Sequence, residues 1–252
     1  MVDRDQLADY CAQVLAVAGQ QDYCPNGLQV AGKRHISKIV SGVSACQALI
    51  DAAVAAGADA LLVHHGYFWK GEDPCLVGPK QRRLQRLLQH DLNLFAYHLP
   101  LDVHREFGNN AQLARVLDLS VEVAVGPAAT PELILQGRLP APMAAPALVQ
   151  YVGDRLGRSP LLITGHERPV TRIAWCTGAA QDYIELAAAA GADAYLSGEI
   201  SERTFHAARE LGIHYLAAGH HATERYGVQA LAEHLAQHFG LEHCFIDIDN
   251  PV

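Results

Sequence analysis

The sequence predicts an α/β fold built from two similar lobes, and three observations support this prediction. Short, β-branched apolar runs alternate with stretches of helical periodicity along almost the whole chain. The pattern starts again near residue 120, and one hexapeptide, Ala-Ala-Gly-Ala-Asp-Ala, occurs identically at residues 55–60 and 189–194. Strict alternation of strands and helices predicts largely parallel sheets that are covered by helices.

The first lobe begins with an amphipathic helix, because Leu7, Cys11 and Leu15 recur at helical spacing. A turn-rich loop at residues 22–32 follows, and Gly57 is positioned to end a later, alanine-rich helix. Helices are predicted at residues 3–18, 46–56, 79–90 and 109–117. Strands are predicted at residues 36–43, 58–63 and 92–97.

The second lobe repeats this alternation. Helices are predicted at residues 145–156, 179–190, 201–211 and 222–239, and the last of these carries core residues at helical spacing, namely Val228, Leu231, Leu235 and Phe239. Strands are predicted at residues 133–139, 161–164, 172–177, 192–196, 213–217 and 244–248.

The internal repeat decides the domain organisation. Aligning the two hexapeptides also matches Gln47 with Gln181 and Asp51 with Glu185. Although Ala-Gly-Ala-Asp is a common helix-to-strand turn, a second match one strand later favours a true repeat, since His98-x-x-x-Asp102 corresponds to His220-x-x-x-Glu224. We therefore expect lobes at residues 1–125 and 126–252, with C-terminal elements able to pack back on the first. The restart disfavours the competing fold, a single barrel of the metal-dependent amidohydrolase or phosphoesterase type.

Composition excludes several classes of protein. Of the 252 residues, 50% are hydrophobic and only 18% are charged, which argues against disorder. The net charge of −8 argues against nucleic acid as a partner. Six scattered cysteines without a C-x-x-C pair indicate reduced thiols in a cytoplasmic protein. No apolar signal segment and no run long enough to cross a membrane are present, so we expect no membrane association.

Histidines and carboxylates at strand ends predict a metal centre. His64 and His65 end an apolar run, where open α/β sheets gather ligands. Asp102 offers an oxygen that can bridge two cations, and His220 and Glu224 share a helix face at i, i+4 spacing. Imidazole and carboxylate donors together suit zinc, manganese, iron or nickel better than calcium.

Several roles stay open on spacing alone. Asp102 can instead cap a helix, and Glu224 can complement the helix dipole. His221 lies three residues before Glu224 and can replace His220, while His98 is either a direct ligand or a residue that orients one. Gly66 behind the histidine pair is expected to permit a chain reversal. The other histidines are expected to be surface or core polar residues: His90, His104, His166, His206, His234, His238 and His243.

Residues near the histidine pair suggest substrate contacts, although core packing and surface solvation are the commoner roles of such residues. Tyr67, Phe68 and Trp69 can line a pocket for an aromatic base or join the core. Lys70 and the arginines of residues 82–86 can meet phosphate or simply solvate the surface. The sequence contains no G-x-G-x-x-G, no Walker-type loop and no G-x-S-x-G, so nicotinamide, P-loop nucleotide and serine-hydrolase functions have no support.

Five segments resemble the Nif-three-like proteins, the GTP cyclohydrolase 1 type 2 homologue family, in its short bacterial form. They appear in family order over nearly the whole chain: residues 23–30, 63–69, 97–102 with 108–110, 197–199 and 219–224. The resemblance implies a dinuclear divalent-metal centre bound by residues matching His64, His65, Asp102, His220 and Glu224, which favours His220 over His221. It also implies a two-lobed protomer assembled as a toroidal hexamer.

Two functional hypotheses follow. In the first, the chain is a metal-dependent hydrolase of a small nucleotide-like or pterin-like molecule, with His98 or Glu199 as a base or an orienting group near the metals. In the second, it is a non-catalytic metal-handling or scaffold protein whose metals are structural, because no substrate-reading motif is recognisable. Whether the chain is an enzyme is left undecided by the sequence.

Overall fold

The computed structural model describes residues 1–252, and its secondary structure comprises thirteen strands and nine α-helices. The strands are β1 (Val2–Asp3), β2 (Gly27–Val30), β3 (His35–Ile36), β4 (Lys38–Ser44), β5 (Ala60–His65), β6 (Asn93–Ala96), β7 (Ser120–Val125), β8 (Ile134–Met143), β9 (Leu161–Ile163), β10 (Val170–Cys176), β11 (Ala194–Ser197), β12 (His214–Ala217) and β13 (Glu242–Phe245).

The helices fall between these strands, as the alternating pattern predicted. They are α1 (Arg4–Val14), α2 (Gln47–Ala55), α3 (Gly78–Gln89), α4 (Leu99–Asp102), α5 (Asn109–Val116), α6 (Ala145–Leu156), α7 (Ile184–Ala189), α8 (Glu202–Leu211) and α9 (His220–Phe239). Two 3₁₀ turns occupy Val17–Gly19 and Gln181–Tyr183. No helix combines the length and the apolar character that crossing a lipid bilayer requires.

The chain divides into two compact units. The first contains Met1–Gly108 and Gly227–Asp249, and the second contains Asn109–Tyr226 and Asn250–Val252. The second therefore begins earlier than the expected lobe boundary at residue 125, because α5 packs in the core with β8 and β10 through Leu113 and Ala114. Residues 227–249 belong to the first unit because the apolar face of α9 packs there, and β13 joins its sheet.

The first unit is built on a five-stranded sheet with the order β13-β4-β5-β6-β2. Its four strands β13, β4, β5 and β6 are parallel, whereas β2 pairs antiparallel with β6. Apolar side chains cover both faces: one cluster includes Ile39, Leu62 and Phe95, and the other includes Val40, Leu61 and Val63. Burial on both faces explains the nearly continuous apolar sequence of β4 and β5.

The second unit is built on a six-stranded sheet with the order β7-β8-β10-β11-β12-β9. Its centre, β10-β11-β12, is parallel, but β7, β8 and β9 all pair antiparallel. The expectation of largely parallel sheets holds for β13-β4-β5-β6 and for β10-β11-β12. It misses the other strands, β2, β7, β8 and β9, because the direction in which a strand pairs depends on its neighbours in the sheet rather than on helical periodicity.

The verbatim hexapeptide performs the same task in both units. Asp59 accepts hydrogen bonds from the backbone N–H groups of Ser37 and Lys38 at 2.9 and 3.1 Å. Asp193 accepts from Thr171 and Arg172 at 3.0 and 2.9 Å. In each unit, the aspartate that precedes one parallel strand therefore binds the backbone at the start of the adjacent strand: Asp59, before β5, binds the start of β4, and Asp193, before β11, binds the start of β10. The repeated α/β design predicted from the sequence is present, and the repeated aspartate is structural.

Candidate metal centre

In the first unit, the paired histidines lie where β5 ends at the carboxyl edge of the parallel strands. The His64 Nδ1 is 2.9 Å from the backbone oxygen of Tyr97, and the His65 Nδ1 is 3.0 Å from the Ser44 hydroxyl. Their ring centroids are only 4.5 Å apart, although adjacent residues of a regular strand point to opposite faces. The end of the strand at His65 is what brings both rings to one side.

His98 is the third imidazole at this edge. Its ring centroid lies 5.1 Å from that of His64 and 5.8 Å from that of His65. One candidate ligand atom of each ring lies within 4.8 Å of the others, so these three histidines could hold a metal ion. His98 follows β6 and precedes α4, so the next parallel strand delivers it to the same edge as the pair.

A buried aspartate holds His98 in place. The His98 Nδ1 donates to Asp22 at 2.7 Å, and the same carboxylate accepts from the backbone N–H of Leu99 at 2.9 Å. Asn26 donates to Asp22 at 2.9 Å and accepts from the His98 backbone N–H at 2.7 Å. Burial alone would raise the pKa of Asp22, but these hydrogen bonds, led by the one from His98, lower it.

Asp102 ends the single-turn helix α4 with its side chain almost completely buried. Its Oδ1 lies 3.4 Å from the His64 Nε2. Asp22 accepts the first backbone N–H of α4, the turn that Asp102 ends. Asp102 thus presents a carboxylate oxygen to His64.

In the second unit, α9 begins at His220, two residues earlier than predicted. His220 and Glu224 therefore lie one turn apart on the same helix face, with His220 Nε2 3.0 Å from Glu224 Oε2. The His220 Nδ1 is 2.7 Å from the Glu199 carboxylate. Burial would lower the pKa of His220, but Glu224 and Glu199 outweigh it and raise that pKa to about 9. The pair of carboxylates creates a place that attracts a cation.

Two glycines allow the loops after β10 and β11 to lie close to His220 and Glu224. A Cβ on Gly178 would lie 2.1 Å from Glu224 Oε1, and Gly178 has a φ of +67°. A Cβ on Gly198 would lie 2.7 Å from the His220 Cα. Thr223 accepts from the Gly178 N–H at 3.1 Å and donates to the Gly219 oxygen at 2.9 Å. The ends of β10, β11 and β12 converge on His220 only because side chains are absent there.

Hydrogen bonds at Nδ1 select one tautomer in three of these histidines. A carbonyl or carboxylate oxygen can only accept, so the Nδ1 atoms of His64, His98 and His220 must carry the proton. In the neutral ring the lone pair then lies on Nε2, the arrangement that metal-binding histidines typically show. The residues present therefore fit a divalent metal ion, both in donor type and in the support of each donor.

Other sequence-predicted residues have clear places. Tyr67 is buried in the core, and Phe68 lies under the Lys80 ammonium, but the Trp69 ring meets His98 edge to face at 5.0 Å. Gly66 directly follows the end of β5 and does not have a positive φ, so the chain leaves the strand there without a left-handed backbone. A Cβ there would lie 2.2 Å from Gln29 Oε1, and glycine is needed for close packing.

Sequence reasoning missed the residues that support the ligands. These are Asp22, Asn26, Ser44, Gly178 and Thr223. They lie 21 or more residues from the histidines that Asp22 and Ser44 hold, so no local spacing signals their role. His104 and His166, by contrast, accept backbone N–H groups of nearby residues through Nδ1, in keeping with the structural roles expected for them.

Comparison with known proteins identifies relatives over the full length. Residues 2–251 match the model of the family described as Duf34/NIF3 (NGG1p interacting factor 3). A protein of Pseudomonas aeruginosa named GTP cyclohydrolase 1 type 2 homolog is 58% identical over 245 residues, covering 97% of each chain. The solved structure of protein ybgI, described as of unknown function, superposes with a TM-score of 0.96 at 48% identity over 100% of both chains. TTHA1606 from Thermus thermophilus superposes with a TM-score of 0.88 at 36% identity, also over 100% of both.

Proposed function

This chain belongs to the Duf34/NIF3 family, and we propose that it binds two divalent metal ions and hydrolyses a small nucleotide-like or pterin-like molecule. The ligands in this proposal are His64, His65, Asp102, His220 and Glu224. The predicted family membership and the α/β fold are confirmed by the comparisons. Clustered histidine and acidic side chains that could bind metal support the rest.

One observation carries the metal proposal: the proton on Nδ1 of His64 and of His220 is held by an oxygen acceptor. Such support makes the opposite nitrogen a better donor and restricts the rotation of the ring. Nitrogen and carboxylate donors together favour zinc, manganese, iron or nickel. When bound, a divalent ion would lower the pKa of a water and polarise a carbonyl or phosphoryl oxygen.

Aromatic rings beside the histidines support the substrate class. The exposed Tyr23 ring lies 6.4 Å from His98, and the Trp69 ring lies 5.0 Å from it. The loops that carry them are joined by the hydrogen bond from Lys70 N–H to the Tyr23 oxygen at 2.6 Å. Flat aromatic faces suit a heteroaromatic ring, and the exposed Lys70 that follows Trp69 in the chain would supply a cation for a phosphate. The name of the Pseudomonas relative points to the same substrate class.

The decisive experiment is turnover by metal-reconstituted protein. We expect slow hydrolysis of GTP or a related compound that requires metal, together with a bound-metal content near two per chain. His64→Ala and Glu224→Ala should each lower the metal content and remove turnover. Trp69→Ala should keep the metal and raise KM, whereas Phe68→Ala, the matched neighbour whose ring lies against Lys80, should change neither. No metal-dependent turnover across a broad nucleotide and phosphoester screen would refute the hydrolase.

A metal-handling protein is the second candidate, because His98 belongs to two donor groups. It lies with His64 and His65 in one, and with Asp22 and Cys24 in the other, each with donor atoms within 4.8 Å of one another. A thiol next to the imidazoles offers a route by which a metal can be passed on. Burial raises the pKa of Cys24 to about 12, so only a bound metal would deprotonate this thiol.

Metal exchange distinguishes the two candidates. For a handling protein, we expect bound metal to move rapidly to a competing chelator and Cys24→Ser to slow this transfer without changing the metal content at saturation. For a hydrolase, transfer should be slow, and Cys24→Ser should leave it unchanged. We further propose, on the family resemblance alone, that the chain assembles as a homohexamer. From its scattered cysteines we propose a cytoplasmic location.

A further inference from the structure

One matched position of the two sheets carries a different side chain in each unit. Asn93 begins β6 and pairs in register with Ala60, while His214 begins β12 and pairs with Ala194, the same alanine of the repeated hexapeptide. An antiparallel strand flanks this position in both units, since β2 pairs with β6 and β9 pairs with β12. The repeat therefore has an amide in the first unit where it has an imidazole in the second.

In the first unit, the amide of Asn93 holds the chain that follows β2. Its Oδ1 accepts the backbone N–H of Gly32 at 2.8 Å, and its Nδ2 donates to the backbone oxygens of Lys33 and Asp59 at 2.8 and 2.9 Å. The whole residue is buried. An amide does not titrate, so these hydrogen bonds keep the same donors and acceptors in acid and at neutral pH.

In the second unit, two histidines share this task. The Nδ1 of His214 accepts the backbone N–H of Gly165, two residues after β9, at 3.3 Å. The backbone oxygen of Asp193 is reached by a different side chain, His166, whose Nε2 lies 3.1 Å from it. We call residues 164–169, which join β9 to β10, the β9–β10 loop. This loop is held by imidazole nitrogens where the first unit uses an amide.

Both imidazoles hold the loop through an unprotonated Nδ1. The His166 Nδ1 accepts the backbone N–H of Arg168 at 3.1 Å, as the His214 Nδ1 accepts that of Gly165. A backbone N–H can only donate, so in each neutral ring Nδ1 has the lone pair and Nε2 carries the proton. A second proton goes to Nδ1, where it faces the N–H group and removes the hydrogen bond. The loop is therefore held only while the rings are neutral.

The surroundings of His214 oppose a positive charge on its ring. The residue is 1% exposed, its Nε2 makes no hydrogen bond of normal length, and the His166 ring centroid lies 4.0 Å from its own. Burial lowers the pKa of His214, and His166 adds to this effect. The Arg168 backbone and the carboxylates of Asp193 and Glu167 act against it without reversing it. Protonation is therefore favoured when the loop opens and the rings reach water.

The helices around this loop add no buried charge. Both α6 and α8 pack on β9, and α8 also packs on β12. The charged residues and the one histidine of these helices are all exposed: Asp154, Arg155, Glu202, Arg203, His206, Arg209 and Glu210. Water and salt screen such groups, so the charges that act most on His214 are those of the loop and of Asp193.

We propose that His166 and His214 form a pH-sensitive latch on the β9–β10 loop, which is closed when both rings are neutral and opens when the pair takes up a proton. Opening releases the N–H groups of Gly165 and Arg168. It also frees the end of β9, an edge strand that pairs with β12 at only three positions. The matched position of the first unit, which carries Asn93, stays closed. Acid therefore opens the second unit locally and leaves the first unit as it is.

The test is backbone amide hydrogen exchange in the full-length protein, followed by nuclear magnetic resonance. Protection factors are corrected for the effect of pH on the intrinsic exchange rate. From about pH 7.5 down to about pH 5, where imidazoles change charge, we expect protection of the Gly165 and Arg168 amides to fall at least ~10-fold. Protection of the Gly32 amide should stay constant. The fall should coincide with the titration of His214, measured through the ¹⁵N signals of its ring.

Two variants separate the latch from a general effect of acid. His214→Asn gives the second unit the residue that the first unit has, and its Oδ1 can still accept the N–H of Gly165. In this variant, protection of the Gly165 amide should no longer depend on pH. His206→Asn removes an exposed histidine of the same unit and should keep the pH dependence of the wild type.

Three results would overturn the proposal. They are protection of the Gly165 and Arg168 amides that does not change with pH, an equal fall at Gly32, and a pH dependence that His214→Asn leaves intact. If His214→Asn does not fold, the wild type decides alone, because a fall in protection that does not follow the titration of His214 also refutes the latch. None of these results bears on the metal centre, since His214 begins β12 whereas the proposed ligand His220 follows its end.

Discussion

In His64 and His220, both ring nitrogens have a part in the proposed metal centre. In His64 and His220, Nδ1 donates to an oxygen acceptor, while Nε2 lies 3.4 and 3.0 Å from a carboxylate oxygen. A ring held in this way loses little rotational freedom when a metal binds. The metal affinity of these residues therefore depends on partners such as the Tyr97 carbonyl and Glu199, which are not ligands in our proposal.

Also at the residue scale, Asp59 and Asp193 are expected to stabilise the fold equally. Asp59→Ala or Asp193→Ala leaves two backbone N–H groups without their acceptor, which should lower the free energy of unfolding by about 1–3 kcal/mol at neutral pH. Urea denaturation measures this directly. Asp9→Ala, at an exposed position of α1, is the matched control and should change stability little.

The pH dependence of this effect has a definite sign. Burial would raise the pKa of Asp59, but hydrogen bonds from Lys33 and the backbone lower it; at Asp193, backbone hydrogen bonds likewise outweigh burial. A carboxyl whose pKa is lowered in the folded state stabilises the protein above its unfolded pKa of about 4 and loses that contribution as the pH falls through the folded value. The difference between wild type and Asp59→Ala should therefore shrink below about pH 4. A constant difference down to low pH would contradict the assigned role.

At the element scale, α4 is a single turn whose position depends on Asp22. The same carboxylate accepts the first N–H of α4 and holds the Nδ1 proton of His98. Asp22→Ala should lower the free energy of unfolding by about 1–2 kcal/mol and weaken metal binding. Asp22→Asn should largely restore stability, since its side-chain oxygen still accepts from the backbone N–H of Leu99. It should not restore the tautomer of His98 when the amide NH2 group donates to the Nδ1 of that ring, because this Nδ1 then carries no proton.

Nuclear magnetic resonance of ¹⁵N-labelled histidine measures the tautomer separately from stability. We expect His98 to change tautomer in Asp22→Asn while the unfolding curve stays close to that of the wild type. If His98 keeps its tautomer and metal binding is normal in both variants, Asp22 serves α4 alone.

At the scale of the whole molecule, metal removal should destabilise the protein. A ligand that binds only the folded state adds about 2.7 kcal/mol at a hundredfold excess over its dissociation constant. We therefore expect chelation to lower Tm by several degrees and zinc or manganese to restore it. Calcium should restore little, because imidazole donors suit it poorly. A Tm that is the same with and without metal would contradict binding by the folded chain.

Variants in either unit sharpen this experiment. If His64→Ala and Glu224→Ala each remove most of the metal-induced rise in Tm, the ligands of both units bind the ions together. If each removes only part of it, and the two effects add, the donor groups bind metal separately. Both results are compatible with bound metal, but only the first fits the dinuclear centre proposed for this chain.

Much of this molecule was predictable because its sequence signals are local. Burial of a parallel strand on both faces requires a continuous apolar run, and β4, β5 and β12 were located from that feature. The helices α1 and α9 were located from the helical spacing of their apolar residues. The short strands β1 and β3 and the edge strand β7 were missed, and β2 lies within residues 22–32, which were wrongly predicted to be a loop. The pairing of these strands is set by partners elsewhere in the fold.

What the sequence determined by itself is the alternating α/β chain, its repeat and the types of donor at strand ends. What only the tertiary structure decided is which atoms support those donors. Asp22 reaches His98 across 76 residues, Ser44 reaches His65 across 21, and Gly178 leaves room for Glu224. Donor type is a property of one residue, but tautomer, pKa and clearance depend on neighbours that only the folded chain brings together.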